Sequence, residues 1–253
     1  MPSPLDFMKQ YRNLKVNVTI EDPLTHTSHQ ANLHIQLRKY FMMNWTAGSS
    51  ELNEYNDVTA HGNNAWFRAN RAAIQTAAMG KGAPHDYELA LEWVARSKKV
   101  ATLSEASLQT YCDSHLGIDC SGFATNYMIA AGKKPNSINT QRNTSAASYF
   151  STSRAVNDPG QVRQGDLLVW MSGNTVKTNP GHVMVVNSFT PRSTPGGNMQ
   201  IVEATGASAA HPKLTDSMYA VEQIIPKGGA VPAMILVVKR FGTSGHRVCV
   251  MRW

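Results

Sequence analysis

Hydrophobic residues follow a helical spacing in the middle of the chain and alternate with polar residues in its last third. The helical spacing covers Trp66 to Met79, then a segment from an Asp86 cap through Lys98, and then one from a Ser104 cap through His115. Each segment has a capping residue or a glycine at one end, as helices do. We therefore predict three consecutive helices in this part of the chain.

The last third of the chain predicts strands, because apolar and polar positions alternate there in short runs separated by turn residues. These runs are Leu167 to Trp170, His182 to Phe189, Gln200 to Ala204, Ala220 to Ile225, Met234 to Phe241 and Arg247 to Trp253. Val16 to Ile20 and Leu33 to Leu37 alternate in the same way near the start, and the Asn- and Ser-rich stretch from Gly48 to Asn64 predicts a loop. Helices followed by an antiparallel run of strands predict an α+β fold.

Between the helices and the strands, one more helix is predicted to begin at a cysteine. Asp119 is suited to cap this helix, Phe123 and Tyr127 recur on one face, and Gly132 ends it. Cys120 then stands in the first turn, where unpaired backbone N–H groups and the helix dipole favour a negative charge. The thiol can therefore ionise near neutral pH and become a nucleophile.

A lone cysteine on a helix is more often an unreactive, buried side chain. The sequence segments that accompany Cys120 along the chain are what favour catalysis. Four segments resemble, in order, the motifs of the NlpC/P60 family of papain-like cysteine hydrolases: Asp119 to Phe123, Gly165-Asp166-Leu167, Gly181-His182-Val183, and Ile201 to Ala204. Each segment alone recurs by chance, whereas four in the family's order, each in the kind of element that the chemistry needs, form a specific signal. The resemblance covers roughly the C-terminal half of the chain. It implies a papain-like NlpC/P60 fold, with the nucleophile helix packed on an antiparallel sheet.

The resemblance implies a catalytic set of Cys120 as nucleophile, His182 as base and Glu203 as the residue that orients the histidine. The family commonly has His, Asn or Gln at the third position, but a carboxylate can also orient an imidazole and stabilise its charged form. The backbone N–H of Cys120 is suited to bind the oxyanion of the reaction. Relatives also carry a Tyr and a Gly-Gly pair upstream. The stretch from Thr110 to Ile118 has no such pair, and whether Tyr111 is the counterpart of the tyrosine is left open.

The change of pattern near residue 84 predicts two parts of the chain. Residues 1–83 are interpreted as an N-terminal extension of unknown role packed on the core, and residues 84–253 as the catalytic domain. His26, His29 and His34 are close enough in sequence to supply three metal ligands. No clustered Asp, Glu or Cys completes a ligand set there, so we predict no metal, and no cofactor is predicted either.

Cysteine use is sparse, with 3 residues in the chain, which predicts a reduced protein rather than a disulfide scaffold. Cys112 and Cys249 are interpreted as buried small hydrophobic residues. Two alternatives stay open: a disulfide between these two cysteines, and a redox role for Cys112 beside the nucleophile.

No membrane span and no cleaved leader are expected. The longest apolar stretch, Ala230 to Val238, contains Pro232 and is far shorter than the roughly 20 residues that a spanning helix needs. The first residues lack the basic and apolar segments of a secretory signal. We therefore expect synthesis in the cytosol and, for any action outside it, export by a route that needs no cleaved leader.

The formal net charge of +7, from 24 basic and 17 acidic residues, favours anionic partners. The basic residues occur as dispersed pairs rather than long runs, so a nucleic-acid partner is not expected. The family resemblance implies cleavage of amide bonds in peptidoglycan stem peptides, which are rich in carboxylates. The setting that we expect is an antibacterial effector that a specialised secretion system delivers into a target periplasm, with an immunity or inhibitor protein as a partner.

Two other functions stay open at this level. The same chemistry would serve a thiol enzyme that acts on host proteins as a protease, deamidase or acyltransferase. The chain could also be a catalytically inactive binding module on this fold, although the intact Cys120 and His182 argue against that alternative.

Overall fold

Helices dominate the first part of the chain and strands the last, which confirms the predicted α+β class. The computed structural model describes residues 1–21, 26–40, 65–191, 196–206 and 213–253. Its helices are α1 (Pro4–Tyr11), α2 (Ala65–Ala78), α3 (Pro84–Arg96), α4 (Glu105–His115), α5 (Cys120–Ala130) and α6 (Ile138–Asn143). Its strands are β1 (Leu14–Glu21), β2 (Ser28–Ile35), β3 (Leu167–Ser172), β4 (Thr175–Val176), β5 (Val183–Thr190), β6 (Gly197–Thr205), β7 (Lys213–Ile225), β8 (Ile235–Arg240) and β9 (Thr243–Met251). The loop predicted from Gly48 to Asn64 lies outside the described residues.

The three helices predicted from spacing all form, and one of their caps differs from the prediction. Helix α4 follows the predicted cap, since the Ser104 hydroxyl accepts a hydrogen bond from the N–H of Ser107 at 3.2 Å. Helix α3 begins at Pro84 instead of after Asp86, because proline suits the first helical position, where no N–H is needed. Asp86 accepts a hydrogen bond from the N–H of Ala83 at 2.7 Å from inside the first turn. The prediction that Asp86 precedes the helix is therefore wrong.

Helix α1 is too short to be evident from its hydrophobic spacing, but it has a sequence signal in its cap. Ser3 accepts a hydrogen bond from the third helical N–H at 3.0 Å, and Pro4 opens the helix. Its apolar face packs on the helix that begins at the predicted nucleophile: the Phe7 ring lies 5.7 Å from that of Phe123 and 5.8 Å from that of Tyr127, between centroids. Helix α1 therefore covers part of α5.

The strands from β3 to β9 form one antiparallel sheet that closes on itself. Their order is β4-β3-β5-β6-β7-β8-β9, and β3 also pairs with β9, so six strands form a closed sheet to which β4 is added at β3. In the pairing that closes the sheet, Leu167 lies opposite Met251. Register shifts in the β5–β6, β7–β8 and β8–β9 pairs mark bulges, which bend strands and increase their twist. Strands β1 and β2 pair separately, with Leu14 opposite Ile35.

Closure gives the sheet an inner and an outer face, and each face has its own hydrophobic core. On the outer face, Val185 and Val202 belong to the same buried cluster as Phe123 and Tyr127 of α5. Alternate side chains from all six strands form the second cluster, which fills the inside. The strand residues of this inner core are Leu168, Met184, Val186, Met199, Ile201, Tyr219, Val221, Leu236, Val238, Val248 and Val250. Helix α5 therefore lies against the outside of the closed sheet.

The N-terminal part of the chain shares the outer core. Phe7, Leu14 and Ile74 belong to the same buried cluster as Trp93 and Val185. The described residues before and after position 84 thus contribute to one core, and the division into an extension and a catalytic domain stays a prediction.

The longest apolar stretch of the sequence is part of the sheet rather than of a helix. It enters β8, and its residues Met234 to Leu236 are almost completely buried in the two cores. Among the described residues, no helix is both long and apolar enough to cross a membrane.

A buried ion pair holds the start of α5 against the connection between α2 and α3. Nζ of Lys81 lies 2.7 Å from Oδ2 of Asp119, and both residues are buried. The same ammonium group donates a hydrogen bond to Oγ of Ser121. A side chain on Gly122 would collide with the carbonyl oxygen of Gly80, so a glycine is what allows the two segments to touch.

Replacing Lys81 by Met should destabilise the protein strongly, because the buried Asp119 carboxylate would lose the cation that neutralises it. We expect the free energy of unfolding to fall by about 3 kcal/mol or more, measured by urea unfolding. Lys9→Met is a matched control, because Lys9 pairs with Asp6 at the same 2.7 Å on an exposed surface, where ion pairs contribute little. Equal unfolding midpoints for the two variants would contradict a structural role of the buried pair.

Candidate active site

Helix α5 begins at Cys120 and packs on β5 and β6. Asp119 caps the helix, and its carboxylate accepts a hydrogen bond from the N–H of Gly122. The first N–H groups of a helix have no acceptor within the helix, so the thiol lies beside the positive end of the helix dipole. Cys120 is 6% exposed. The local structure predicted around the cysteine is therefore present.

His182 lies directly before β5 and next to Cys120. Its carbonyl oxygen accepts a hydrogen bond from the N–H of Trp170 at 3.0 Å, which ties it to β3. The Cys120 side chain lies close enough to the imidazole for the charges of the two groups to interact. On the other side, its Nε2 lies 2.8 Å from Oε2 of Glu203. Since Nε2 faces Glu203, Nδ1 is the nitrogen that is left for the thiol.

Glu203 lies on the inner face of the closed sheet and has no exposed surface, at 0%. It follows Ile201 of the inner core by two positions in β6, and side chains two positions apart share a face of a strand. Its Oε1 accepts a hydrogen bond from the Tyr219 hydroxyl at 2.7 Å. Its Oε2 accepts bonds from Nε2 of His182 at 2.8 Å and from Nη2 of Arg240 at 2.6 Å. These three donors offset the cost of removing the carboxylate from water.

The charges of the site favour a protonated His182 and an ionised Glu203. Burial opposes the imidazolium, but the negative charges of Cys120 and Glu203 outweigh burial and raise the pKa of His182 to about 9. Burial also opposes the carboxylate, but His182, Arg240 and Tyr219 together lower the pKa of Glu203 to about 2. At neutral pH the imidazolium therefore stands between the thiol group and a carboxylate.

Tyr40 is a further residue beside Cys120. It forms a parallel bridge with Ile118, two positions before Cys120. Burial and nearby negative charges, that of Cys120 foremost, raise the pKa of the Tyr40 hydroxyl well above its usual value, so this hydroxyl stays protonated and can donate. Tyr111, the tyrosine considered from the sequence, stacks on His115 with 4.2 Å between ring centroids.

Trp170, Tyr219 and Arg240 complete the surroundings of the His–Glu pair, and no short motif indicates them. The Trp170 ring packs edge-on against the His182 ring, with 5.1 Å between centroids. A signal for Arg240 does exist in β8, where positions 236, 238 and 240 are all buried. A basic residue at the next position of a buried, alternating face is expected to be paired with an acidic residue. The sequence by itself, however, does not show which face of the strand is buried.

Asn187, the first polar residue of β5, and the two other cysteines have surroundings of their own. The Asn187 side chain donates to Gln200 at 2.8 Å and accepts from the N–H of Leu5 at 3.3 Å, and does not orient the histidine. Cys112 and Cys249 are buried free thiols, and burial raises the pKa of each to about 12. Within the described ranges, no group of three or more His, Cys, Asp or Glu side chains could hold a metal ion.

Iodoacetamide at mildly acidic pH should modify Cys120 before Cys112 or Cys249. Thiolates are the reacting species, and burial keeps the other two thiols protonated, whereas Cys120 has His182 to take its proton. Peptide mapping by mass spectrometry at increasing reaction times measures the three rates, and His182→Ala should slow only the first. Equal rates at all three cysteines would show that Cys120 is not activated.

The unfolding free energy should decrease as the pH falls from 4.5 to about 2, because Glu203 takes up a proton in this range. Its pKa is lowered from 4.5 to about 2 on folding, so the unfolded state binds the proton more tightly than the folded state. The stabilisation is therefore complete above pH 4.5 and is lost as the pH falls through the folded pKa. Urea unfolding at a series of pH values measures it, with Glu203→Gln as the control. A decline of the same size in that variant would assign the effect to other carboxylates.

Comparisons with known proteins identify no relative of this chain. The chain was compared with protein-family models, with curated proteins and with solved structures, and no match was found in any of the three. The functional interpretation therefore depends on the contacts among Cys120, His182 and Glu203, and on the motif order in the sequence.

Proposed function

We propose that this protein is a cysteine hydrolase of the NlpC/P60 type that cleaves amide bonds in peptidoglycan stem peptides. The observation that carries the proposal is the position of His182, which lies beside Cys120 and has its Nε2 2.8 Å from the Glu203 carboxylate. A nucleophile, a base and a group that orients the base are the parts that thiol hydrolysis requires. The three residues are far apart in sequence, so their meeting in one buried cluster is unlike the chance recurrence of a short motif.

The first half of the proposed reaction forms a thioester. The Cys120 thiolate attacks the carbonyl carbon of the substrate amide, and the C=O becomes an oxyanion. His182, protonated by the thiol, then gives its proton to the leaving nitrogen as the C–N bond breaks. The products of this half are a free amine and an acyl group on Sγ of Cys120, and His182 is left neutral.

The second half releases the acid and restores the enzyme. Neutral His182 takes a proton from a water molecule, whose oxygen attacks the thioester carbon. When the C–S bond breaks, the Cys120 thiolate and the protonated histidine are formed again. Glu203 holds Nε2 throughout, so that Nδ1 keeps facing the nucleophile.

The oxyanion needs hydrogen-bond donors that are in place before the reaction begins. The backbone N–H of Cys120 is one donor in this proposal, because it belongs to the first turn of α5. The protonated Tyr40 hydroxyl, which lies near the negative charge of Cys120, is suited to be a second.

The architecture and the charge support the family and substrate parts of the proposal. A nucleophile helix packed on an antiparallel sheet is what the resemblance to the NlpC/P60 family implies, and α5 packs in that way on β5 and β6. A net charge of +7 favours a polymer rich in carboxylates. The proposed setting is that of an antibacterial effector, for which an immunity or inhibitor protein that covers the site would be the natural partner.

The decisive experiment is to incubate the purified protein with peptidoglycan fragments and to identify the products by mass. Cleavage of a stem peptide gives two products whose summed mass exceeds that of the substrate by one water. Cys120→Ala should lower the rate by at least roughly 10³-fold, because the members of a nucleophile–base pair act as a unit. Cys249→Ala, which removes a buried thiol in the outer core, is the matched control and should keep its turnover.

Other products would redirect the proposal. Cleavage or deamidation of proteins, with peptidoglycan left intact, would favour the protein-directed thiol enzyme. Peptidoglycan binding by both wild type and Cys120→Ala, with no product from either, would favour the inactive binding module. Equal turnover by wild type and Cys120→Ala would exclude the thiol mechanism.

A further inference from the structure

Charged groups alternate in sign from the nucleophile into the interior of the closed sheet. The Cys120 side chain lies beside His182, His182 contacts Glu203 at 2.8 Å, and Glu203 contacts Arg240 at 2.6 Å. With a thiolate, an imidazolium, a carboxylate and a guanidinium, the four charges sum to zero. Arg240 is 2% exposed and has no counterpart in the motifs that indicate the other three residues.

The proposed reaction explains why the carboxylate needs a second cation. A buried ion without a partner is strongly destabilising, and Glu203 has no exposed surface. His182 neutralises Glu203 only while it carries its proton, and it gives that proton to the leaving amine in every cycle. Arg240 stays charged throughout, because an arginine side chain does not lose its proton in proteins. Its guanidinium therefore compensates Glu203 in the steps during which His182 is neutral.

Arg240 is also fixed in position. Its Nη2, which donates to Oε2 of Glu203, is 2.5 Å from Oγ1 of Thr205 and 3.3 Å from Nε2 of His182. Its Cζ lies 4.9 Å from the centre of the Trp170 ring and 5.0 Å from that of Phe241, distances at which a cation is attracted to an aromatic face. Two cations thus share one carboxylate oxygen.

We propose that Arg240 is a positioning residue of this site, which holds the Glu203 carboxylate behind His182 and cancels its net charge. The proposal rests on the thiol mechanism of the proposed function. With Arg240 in place, Glu203 acts on the histidine as an oriented acceptor within a neutral pair. A glutamate can then occupy the position for which the resembled family commonly uses the neutral acceptors Asn and Gln, or His.

The proposal predicts the direction in which the pKa values of nearby groups shift when Arg240 is replaced, whereas a purely structural role predicts no direction. Removing the positive charge of Arg240 makes every nearby group hold its proton more tightly, and removing the negative charge of Glu203 does the opposite. The other charged and titratable groups around His182 stay the same in both cases. Among the described residues, they include Cys120 from α5, Tyr40 beside it, Tyr219 from β7, and, across the Trp170 ring, His246 from β9 and Lys177 after β4.

The test is the pH dependence of the rate at which iodoacetamide modifies Cys120, with the site of modification confirmed by mass spectrometry. Wild type should show two inflections, one where the ion pair of Cys120 and His182 forms and one where His182 loses its proton. Arg240→Met should move both inflections to higher pH by roughly one unit or more, and Glu203→Gln should move them to lower pH. The double variant Glu203→Gln/Arg240→Met should return them toward wild type, because both charges are then absent.

Two further variants keep the result interpretable. Arg252→Met removes another arginine from a carboxylate, since both Nε and Nη2 of Arg252 lie 2.8 Å from oxygens of Asp166, and it should leave both inflections unchanged. Arg240→Gln replaces Arg240→Met if the latter does not fold. Two inflections in wild type that no Arg240 substitution moves would overturn this proposal while the thiol mechanism stands. A single inflection in wild type that His182→Ala leaves unchanged would overturn the proposed function, and this proposal with it.

Discussion

The hydrogen bond between Nε2 of His182 and Oε2 of Glu203 is the interaction on which the rest of the site depends. It leaves Nδ1 of the histidine for Cys120, and it places a carboxylate in a region with no access to water. A buried carboxylate is stable only when its oxygens are fully bonded and its charge is matched. The Tyr219 hydroxyl and the Arg240 guanidinium meet that requirement, which is why residues from β7 and β8 belong to the environment of a histidine that precedes β5.

The closed sheet is what makes these partners available. In an open sheet of the same strand order, β8 would lie three strands away from β5. Pairing of β3 with β9 curves the sheet until the inner faces of its strands meet, and the side chains of Glu203, Tyr219 and Arg240 then converge. The inner core of aliphatic residues keeps this cluster dry, which strengthens every charge interaction within it.

Cys120 approaches the same cluster from the outer face, because α5 packs on the outside of the closed sheet. Helix α5 is held there by aromatic packing with α1, by the buried pair of Lys81 and Asp119, and by the contact of Gly122 with Gly80. Since Asp119 also caps α5, one carboxylate both starts the helix and ties it to the α2–α3 connection. Residues far before Cys120 in the sequence thus help to determine where its thiol lies relative to His182.

Most helices and strands of this protein can be predicted from its sequence alone, because they depend on interactions between residues that are close in sequence. Helical spacing and polar caps predict α2 to α5, alternation predicts most of the large sheet, and the Asp-Cys-Ser-Gly segment predicts a thiol at a helix start. Each of these depends on residues within a few positions of one another. The Ser-Pro cap of α1 is local as well, and only the shortness of the helix hides it from a reading of hydrophobic spacing.

The tertiary structure decided what depends on contacts between distant residues. Closure of the sheet, the burial of Glu203 and its pairing with Arg240 involve strands that no local pattern connects. The alternation in β8 shows that Leu236 and Val238 share a face, but only the pairing of β3 with β9 makes that face an interior. The sequence therefore determined which residues carry reactive groups, and the fold determined their charge partners, because electrostatic compensation acts through space rather than along the chain.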